Sequence, residues 1–510
     1  MTTDATTIRT VGVVGAGSMG RGIAQVAATG GYRTILFDAK PGVAEQARDF
    51  ISGLLSRSVE KGRMTQAAFD SAMAHIEPAQ TLEAMQPCDL VVEAVIENLD
   101  VKRAVFSDLE ALVREDCILA SNTSSLSVTA IAAQACRPER IAGFHFFNPV
   151  PLMRLVEVID GIRTAAHVGE SLMEVGRRMG REPVRVKDAP GFLVNQIGRG
   201  YTIESAHIVD ENIASTHDID RVMRDLVGFR MGPFELMDLT GLDVTHPATE
   251  LIHQQFFFEP RFRPSLMMAQ RTAAGVLGRK TGTGFYAYAD DKPVAVSEPD
   301  APVVKPASVW ISPAEAEGRR AVVRLLEQAG VEIEGGDRPS ERALCLVTPV
   351  GEDATSAALA QQLDPSRTVA VETLFSMEKR RVIMPTPATT PEMLAAARWT
   401  LGADGQPVTV IRDCPGFIAQ RVVAMIVNIC CAIAQSGAAS PADIDKAPKL
   451  ALNYPAGPLS LGDEVGADKI YRILKNAYDA YGDPRYRPSL WLLRRAKLGL
   501  SLKTPETMPS

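Results

Sequence analysis

A glycine-rich turn between two strand-like segments near the N-terminus constrains the fold more than any other feature. Residues 11–14 are β-rich, the turn Gly15-Ala-Gly-Ser-Met-Gly20 follows, and residues 19–29 have a helical pattern that precedes the strand-like segment 33–37. This order predicts a βαβ unit, because two parallel strands need a crossover connection between them. We therefore expect the chain to begin with a parallel sheet covered by helices.

The same turn carries a chemical signature. Gly15, Gly17 and Gly20 open a helix and let the backbone approach a pyrophosphate, which the helix N-terminus attracts. Asp38, at the end of the next strand, would accept the 2′-hydroxyl of an adenosine ribose and repel a 2′-phosphate. These four residues predict an NAD site. The alternative is a glycine-rich turn in an α/β fold that binds no nucleotide.

Strand and helix patterns continue to alternate after this unit. Helical patterns cover 43–61 and 102–113, and strand-like segments cover 89–95, 118–121 and 141–146. Such alternation is typical of a doubly wound sheet with helices on both faces. The predicted fold class is a Rossmann-type α/β domain, followed by an all-α domain that has few strand signals.

Size and composition narrow the class of protein. A chain of 510 residues exceeds a single core, and 46% apolar residues with a net charge of −7 favour a soluble protein without nucleic-acid or membrane partners. Seven cysteines without a Cys-x-x-Cys pair predict reduced thiols, with neither a disulfide framework nor a metal site. The N-terminus lacks a signal-peptide pattern, and no apolar run reaches the roughly eighteen residues of a membrane span. We therefore expect a cytoplasmic protein.

The second half of the chain partly repeats the first. Residues 188–195 reappear as 413–420 and residues 232–238 as 457–463, both at a spacing of 225, and residues 261–266 recur as 485–490, one residue out of step. Three matches in order predict a duplicated helical domain. The expected domains are 1–187 (NAD-binding), 188–290 (helical), 291–308 (linker), 309–412 (truncated, Rossmann-like) and 413–510 (second helical copy).

The truncated segment has strand and helix signals but no glycine-rich phosphate loop. Where His145 and Glu157 should recur, Glu372 and the stretch 381–384 stand instead. The sequence therefore predicts one active site per chain.

His145 is the principal candidate for chemistry. It lies in Gly143-Phe-His-Phe-Phe-Asn-Pro149, at the carboxyl end of a predicted strand, where parallel sheets bind ligands. Glu157 follows in a β-like run that can lie beside it. A histidine oriented by a carboxylate moves protons near neutral pH, and beside a dinucleotide this pair predicts hydride transfer at a carbon that bears a hydroxyl. The alternative is a core histidine satisfied by hydrogen bonds.

Three further segments are open to a structural or a functional interpretation. Ser124 belongs to the hydroxyl-rich loop Ser121-Asn-Thr-Ser-Ser125, which could simply cap a helix. Lys61 could be a solvated helix end. Lys280 stands among glycines in a turn after a helix, from which it could also reach a phosphate or a carboxamide.

Six motifs in this order resemble the L-3-hydroxyacyl-CoA dehydrogenase family. They are Gly15-x-Gly-x-x-Gly20, Glu93-Ala-Val-Ile-Glu-Asn98, Ser121-Asn-Thr-Ser-Ser-Leu126, Gly143-Phe-His-Phe-Phe-Asn-Pro149, Asp188-x-Pro-Gly-Phe192 and Gly232-Pro-Phe-Glu-Leu236. The resemblance covers residues 10–288. The duplicated tail resembles the longer bacterial members and the dehydrogenase part of fatty-acid-oxidation multienzymes.

The resemblance implies an NAD-dependent oxidation of (S)-3-hydroxyacyl-CoA thioesters, in which His145 is the general base and Glu157 its orienting partner. It places Ser124 and Asn195 on the substrate oxygens. The implied NAD contacts are Glu97, Lys102, Asn148 and Lys280, and the implied partner of a CoA phosphate is Lys61. Gln196 departs from the family pattern, which commonly has arginine after the asparagine.

Two other functions stay open at this stage, a 2-hydroxyacid-type dehydrogenase and a catalytically idle NAD-binding or structural protein. The acyl group is open between 3-hydroxybutyryl and 3-hydroxyadipyl, in fatty-acid or phenylacetate breakdown, and the chain length resembles the 3-hydroxyadipyl type. The second helical copy is expected to pack on the first as an internal pseudo-dimer. Association of whole chains is left open.

Overall fold

The first sheet contains eight strands in the order β3-β2-β1-β4-β5-β6-β7-β8. The structure is a computed structural model that describes residues 8–300 and 302–507. The strands are β1 (Thr10–Val14), β2 (Arg33–Phe37), β3 (Ile76–Ala79), β4 (Leu90–Glu93), β5 (Ile118–Ser121), β6 (Ile141–Phe146), β7 (Leu155–Asp160) and β8 (Glu182–Lys187). All neighbouring pairs are parallel except β6 and β7.

Helices cover both faces of this sheet, which confirms the predicted doubly wound class. They are α1 (Ser18–Thr29), α2 (Val43–Glu60), α3 (Gln66–Ala74), α4 (Leu99–Leu112), α5 (Val128–Ala132) and α6 (Ala166–Arg178). Alternate residues of the strands point to opposite faces. Val13 packs on one side with Ile23 of α1, and Val91 packs on the other side with Phe106 of α4.

Two features of the sheet were not predicted. β3 has the sequence Ile-Glu-Pro-Ala and lies at the sheet edge, where a proline is tolerated and the strand signal is weak. β7 runs antiparallel to β6, although a fully parallel sheet was expected. The connection between them, residues 147–154, contains no helix and is too short for a crossover, so β7 has to return beside β6.

The remainder of the chain is a helical copy, a second sheet and another helical copy. The first copy comprises α7 (Val194–Asp210), α8 (Thr216–Val222), a π-helical turn (Met223–Val227), α9 (Pro233–Thr240), α10 (Leu242–Gln255) and α11 (Leu266–Ala273), and the hairpin β9 (Tyr288–Ala289) and β10 (Lys292–Pro293) follows. The second sheet has β11 (Val309–Ile311), β12 (Leu344–Val347), β13 (Thr368–Val371), β14 (Arg381–Pro385) and β15 (Val408–Val410), with α12 (Ala316–Gln328), α13 (Ala354–Ala360) and α14 (Pro391–Leu401). The last copy comprises α15 (Ile418–Ser436), α16 (Pro441–Ala451), α17 (Pro458–Val465), α18 (Ala467–Tyr481) and α19 (Leu490–Leu498).

The chain forms two compact units. One consists of Met1–Gln196 with Ser436–Leu452, and the other of Ile197–Gln435 with Asn453–Ser510. In the first unit, α16 lies against β7 and β8, and the Lys187 N–H donates to the Ala438 carbonyl at 2.8 Å. These units cut across the predicted domain limits, which remain a prediction.

The duplication predicted from sequence recurs in backbone detail. Gly191 and Phe192 have φ angles of 71° and 48°, and their counterparts Gly416 and Phe417 have 84° and 46°. The left-handed backbone conformation is unfavourable for phenylalanine. Its presence at the same turn in both copies indicates that the two copies share the same local structure. Within the second unit the Arg412 N–H donates to the Ile213 carbonyl at 2.9 Å, which is the repeat counterpart of the bond from Lys187 to Ala438.

α15 corrects one expectation. It is long and apolar enough to cross a membrane by length and composition, whereas no such run was expected, and 89% of its apolar window is buried inside the protein. It contains Gln420, Arg421 and Asn428, all buried. Burial of this kind is typical of a core helix in a large domain.

Candidate active site

His145 and Glu157 form a hydrogen-bonded pair at one end of the first sheet. They are direct neighbours in the register of β6 and β7, and His145 Nδ1 lies 2.7 Å from Glu157 Oε2. An ionised carboxylate only accepts hydrogen bonds, so Nδ1 carries the proton that is donated to Glu157. The pair fixes the tautomer and leaves Nε2 as the ring nitrogen that can accept a proton.

Glu157 is also held through its second oxygen. Oε1 accepts hydrogen bonds from the backbone N–H groups of Leu193 and Val194, at 3.0 and 2.9 Å, where α7 begins. Free N–H groups at a helix N-terminus favour a negative charge. Because the side chain is 0% exposed, these bonds replace the water that would otherwise solvate the carboxylate.

The turn before α7 is anchored by Asp188. Its carboxylate accepts from the Ser127 hydroxyl at 2.7 Å and from the N–H groups of Val128 and Thr129 at 3.2 and 2.7 Å. Asp188 therefore joins the start of α5 to the turn that brings the α7 N–H groups to the active-site carboxylate. The sequence motif contained this residue, but only the structure assigns it this contact.

Ser124 lies in a loop that Glu97 holds by several bonds. Glu97 Oε1 accepts from Thr123 Oγ1 at 2.7 Å and from the N–H groups of Ser124 and Ser125, both at 3.0 Å. The Ser124 carbonyl accepts from Asn195 Nδ2 at 3.5 Å, so two predicted substrate contacts are neighbours. Burial raises the pKa of Glu97, but the hydroxyl donors and a nearby lysine outweigh it and hold this pKa below its usual range.

Two residues that the sequence analysis did not select also support this edge. Asn122 Oδ1 accepts from the Phe146 N–H at 2.8 Å and ties the end of β5 to the end of β6. Glu93, at the end of β4, is completely buried and bonds Lys102 and Ser121. Glu93 opens one of the family motifs, and that position was the available signal.

The glycine-rich turn has the geometry that a dinucleotide requires. A Cβ at Gly20 would lie 1.7 Å from the Gly15 carbonyl oxygen, so no side chain fits there. A Cβ at Gly17 would meet nothing within 4 Å, because the turn faces open space where α1 begins without a side-chain cap. Asp38 Oδ2 accepts from the Ala16 N–H at 2.8 Å and so joins the end of β2 to the turn. The N–H groups of α1 remain available to a pyrophosphate.

The other predicted cofactor and CoA contacts lie in varied surroundings. Lys102 is 1% exposed and bonds Glu93 at 2.7 Å, and Lys280 in the second unit pairs with Asp243. Lys61 is exposed at the end of α2 and makes no ion pair with any residue between 8 and 300 or 302 and 507. Their contacts with NAD or CoA remain predictions.

A groove of about 440 Å³ opens beside Asn148, between α1, α2 and the loop after β6. Its walls include Phe50 and Leu152, both large apolar side chains that are exposed. The Arg21 guanidinium lies 3.8 Å above the Phe50 ring and has no ion-pair partner in the described part of the chain. The groove thus combines apolar walls with a cation. It is close to the candidate base along the chain, because Asn148 follows His145 by three residues.

The second sheet places a different side chain at the position of the histidine. β13 and β14 are antiparallel, and the Glu372 N–H donates to the Val382 carbonyl at 2.9 Å. Val382 is the repeat counterpart of Glu157 at the spacing of 225, so Glu372 stands at the position of His145. The sequence predicted this replacement.

Glu372 is a buried carboxyl with incomplete hydrogen bonding. Oε1 accepts from the Leu374 N–H at 2.8 Å and from Gln420 Nε2 at 3.0 Å. Oε2 is buried without a partner among the described residues. Burial raises the pKa of Glu372 to about 7, against an ordinary value of 4.5.

The stability of the second unit is expected to fall between pH 4.5 and pH 7 because of Glu372. In this range the unfolded chain is ionised at Glu372 while the folded chain keeps the proton, so each rise in pH favours unfolding, by about 3 kcal/mol over the window. Urea unfolding of Glu372→Gln should show a smaller fall than wild type. Asp220, whose pKa burial also raises to about 7, is present in both proteins, so their difference isolates Glu372. Equal pH profiles would contradict the assignment.

A doubly wound sheet with an open glycine turn and an oriented histidine defines an NAD-type dehydrogenase. The family model for the NAD-binding domain of 3-hydroxyacyl-CoA dehydrogenase matches residues 10–189, and the model for the C-terminal domain matches residues 191–288 and again 416–508. The chain belongs to the 3-hydroxyacyl-CoA dehydrogenase family, and it is an NAD-dependent enzyme of that class. This membership decides against the 2-hydroxyacid alternative.

Relatives resemble the chain over its full length or over its first half. The 3-hydroxyadipyl-CoA dehydrogenase of Escherichia coli is 37% identical over 96% of this chain and 98% of its own. A crystal structure of 3-hydroxybutyryl-CoA dehydrogenase from Escherichia coli K12 covers 96% of this chain and 98% of its own, with a TM-score of 0.85 and 36% identity. The (S)-3-hydroxybutyryl-CoA dehydrogenase of Ralstonia eutropha covers 56% of this chain and 100% of its own, with a TM-score of 0.54 and 38% identity.

Proposed function

We propose that His145 is the general base that accepts the 3-hydroxyl proton in the oxidation of an (S)-3-hydroxyacyl-CoA. The hydrogen bond between His145 and Glu157 carries this proposal. His145 Nε2 takes the hydroxyl proton as the C3 hydride leaves. NAD, when bound, supplies the acceptor for that hydride. Glu157 holds the tautomer and stabilises the imidazolium that forms, as the aspartate does in a catalytic triad.

Ser124 and Asn195 position the substrate oxygens in this proposal. The support is their proximity, because the Asn195 amide reaches the Ser124 carbonyl and the same loop is held by Glu97. Correct placement of the reacting carbon relative to the base contributes several kcal/mol to a barrier reduction, on the order of 10³-fold or more in rate. The two residues act by orientation, since neither is a base at neutral pH.

The groove beside Asn148 is proposed to hold the CoA arm. Its exposed walls, Phe50 and Leu152, suit the pantetheine chain, and Arg21 and Lys61 are cations for its phosphates. For the acyl group we propose 3-hydroxyadipyl, with 3-hydroxybutyryl as the second candidate, because full-length relatives carry both names. The proposed context is phenylacetate or fatty-acid breakdown in the cytoplasm.

Steady-state kinetics test the proposed substrate. NADH oxidation with acetoacetyl-CoA should proceed, and kcat/KM compared among short, medium and 3-hydroxyadipyl thioesters should be highest for 3-hydroxyadipyl-CoA. Preference for the four-carbon thioester would support the second candidate. NADH binding with no turnover on any thioester would contradict the proposed reaction.

Asp38 is expected to set the choice of cofactor. Asp38→Ala should lower the ratio of kcat/KM for NAD over NADP by about tenfold or more, because the carboxylate no longer accepts the 2′-hydroxyl or repels the 2′-phosphate. The ratio is measured with one thioester substrate at saturation. Asp49→Ala, on the exposed side of α2, is the matched loss of charge and should leave the ratio unchanged. An unchanged ratio in Asp38→Ala would argue against this role.

The proposed internal pseudo-dimer rests on contacts within the second unit. Arg421 of α15 bonds Glu204 of α7 at 2.7 Å, and Arg263 bonds Asp483 at 2.7 Å. Each bond joins one helical copy to the other. Sedimentation of the full chain tests whether whole chains associate further.

A further inference from the structure

A buried charged cluster lies beneath the Ser124 loop. Glu93 Oε1 accepts from Lys102 Nζ at 2.7 Å and from the Val95 N–H at 2.7 Å, and Glu93 Oε2 accepts from Ser121 Oγ at 2.7 Å. Glu93 and Ser121 are 0% exposed and Lys102 is 1% exposed. Burying two charges costs free energy unless hydrogen bonds replace the lost water. A buried cluster of this kind therefore suggests a role beyond stability.

The cluster is connected to the loop on two sides. Ser121 Oγ accepts from the Thr123 N–H at 3.2 Å, inside the loop itself. Lys102 Nζ lies 3.4 Å from Glu97 Oε2, while Glu97 Oε1 takes the loop N–H groups. The ammonium therefore stands between two carboxylates, and its position decides where Glu97 can hold Ser124.

The second half of the chain contains the same strand end without the charges. β5 and β12 correspond at a spacing of 226, because Asp188 bonds Val128 N–H as Asp413 bonds Ala354 N–H. The strand registers then place Ser312 at the position of Glu93.

Ser312 performs the local structural task of Glu93 without a carboxylate. It accepts from the Ala314 N–H at 3.1 Å, as Glu93 accepts from Val95. Ser121 is replaced by Val347 at the same spacing. The second half of the chain keeps the counterpart of the Asp188 anchor, which is Asp413, but has neither the charged cluster nor the histidine pair. The fold therefore does not require the cluster.

We infer that Glu93 is a positioning residue for the reaction, which acts through Lys102 and Glu97 to hold the Ser124 loop in its working geometry. The inference rests on the proposed role of Ser124. Glu93 itself is buried and touches neither substrate nor cofactor. Its carboxylate neutralises the Lys102 ammonium, so Lys102 does not draw Glu97 away from the loop.

A double-mutant cycle in the full chain tests the inference. At saturating NADH, Glu93→Gln is expected to lower kcat for acetoacetyl-CoA about 30-fold. Added to Ser124→Ala, the same change should lower kcat by no more than about threefold, because the loop has already lost the group that Glu93 positions. A purely structural role would give the same factor in both backgrounds.

One further variant keeps the test decisive if Glu93→Gln folds poorly. Glu93→Ser with Lys102→Met removes both buried charges and copies the arrangement of Ser312, so it should unfold at a urea midpoint near wild type while kcat stays low. Wild-type kcat in that variant would overturn the inference about Glu93 and leave the proposed role of Ser124 intact. Full additivity of the Glu93 and Ser124→Ala effects would have the same meaning. Wild-type kcat in Ser124→Ala would instead reject the proposed role of Ser124, and the inference with it.

Discussion

Replacement of His145 by glutamine is expected to lower kcat by about 10³-fold while the Kd for NADH changes by less than about threefold. Glutamine fills a similar space but cannot accept a proton at neutral pH. The glycine turn and Asp38 are unaltered, so cofactor binding should persist. Initial-rate assays with acetoacetyl-CoA measure kcat, and NADH fluorescence measures the Kd for NADH.

Glu157→Gln distinguishes a base from a structural histidine. An amide can donate to Nδ1 and so favour the tautomer that carries its proton on Nε2, which cannot act as a base. We expect a fall in kcat of about 10²-fold with a smaller change in KM. The matched control for His145→Gln is His167→Gln, which makes the same change at an exposed position on α6 and should keep kcat near that of wild type. More than a tenth of wild-type kcat in His145→Gln would refute the assignment.

The second large effect is expected in the helical pair. Arg421 is 0% exposed on its side chain and bonds Glu204 at 2.7 Å and Glu211 at 2.8 Å. Burial raises the pKa of Glu211, but the charges of Arg421 and Arg485 outweigh this and lower it to about 2. Arg421→Gln should therefore lower the free energy of unfolding of the second unit by about 3 kcal/mol, because Glu204 keeps a buried charge without its main partner.

Urea unfolding with two companion variants tests this result. Arg421→Gln with Glu204→Gln removes both charges and should recover much of the loss. Arg33→Gln breaks an ion pair with Glu77 in which the two side chains are 48% and 46% exposed, and it should change stability by less than about 1 kcal/mol. A loss in Arg421→Gln no larger than that of Arg33→Gln would contradict the assigned importance of the buried pair.

Arg421 also explains a departure from the family pattern. It is the repeat counterpart of Gln196, the residue that departs from the pattern implied by the family resemblance. The second copy thus has an arginine at this position, and Arg421 forms ion pairs with Glu204 and Glu211 of the first copy. Ile429 and Ser436 stand at the counterpart positions of those two acids, so only one of the two possible ion-pair networks can form.

Much of the fold could be predicted because it depends on local patterns. The glycine turn, the strand-like segments and the spacing of 225 are each visible in a short stretch of sequence, and the structure confirms the sheet, the helical copies and the second, smaller sheet. β3 was missed because an edge strand with proline has little signal. The direction of β7 was missed because strand direction is set by the length of a connection and not by strand composition.

The sequence by itself determined which side chains are available for chemistry, since His145, Glu157 and the glycine turn stand in recognisable motifs. Only the tertiary structure decided which groups support them. Leu193 and Val194 offer backbone N–H groups to Glu157, and Glu93 neutralises Lys102 beneath the Ser124 loop. These contacts join residues from different strands and helices, and hydrogen bonds between distant segments leave no periodic trace in a sequence.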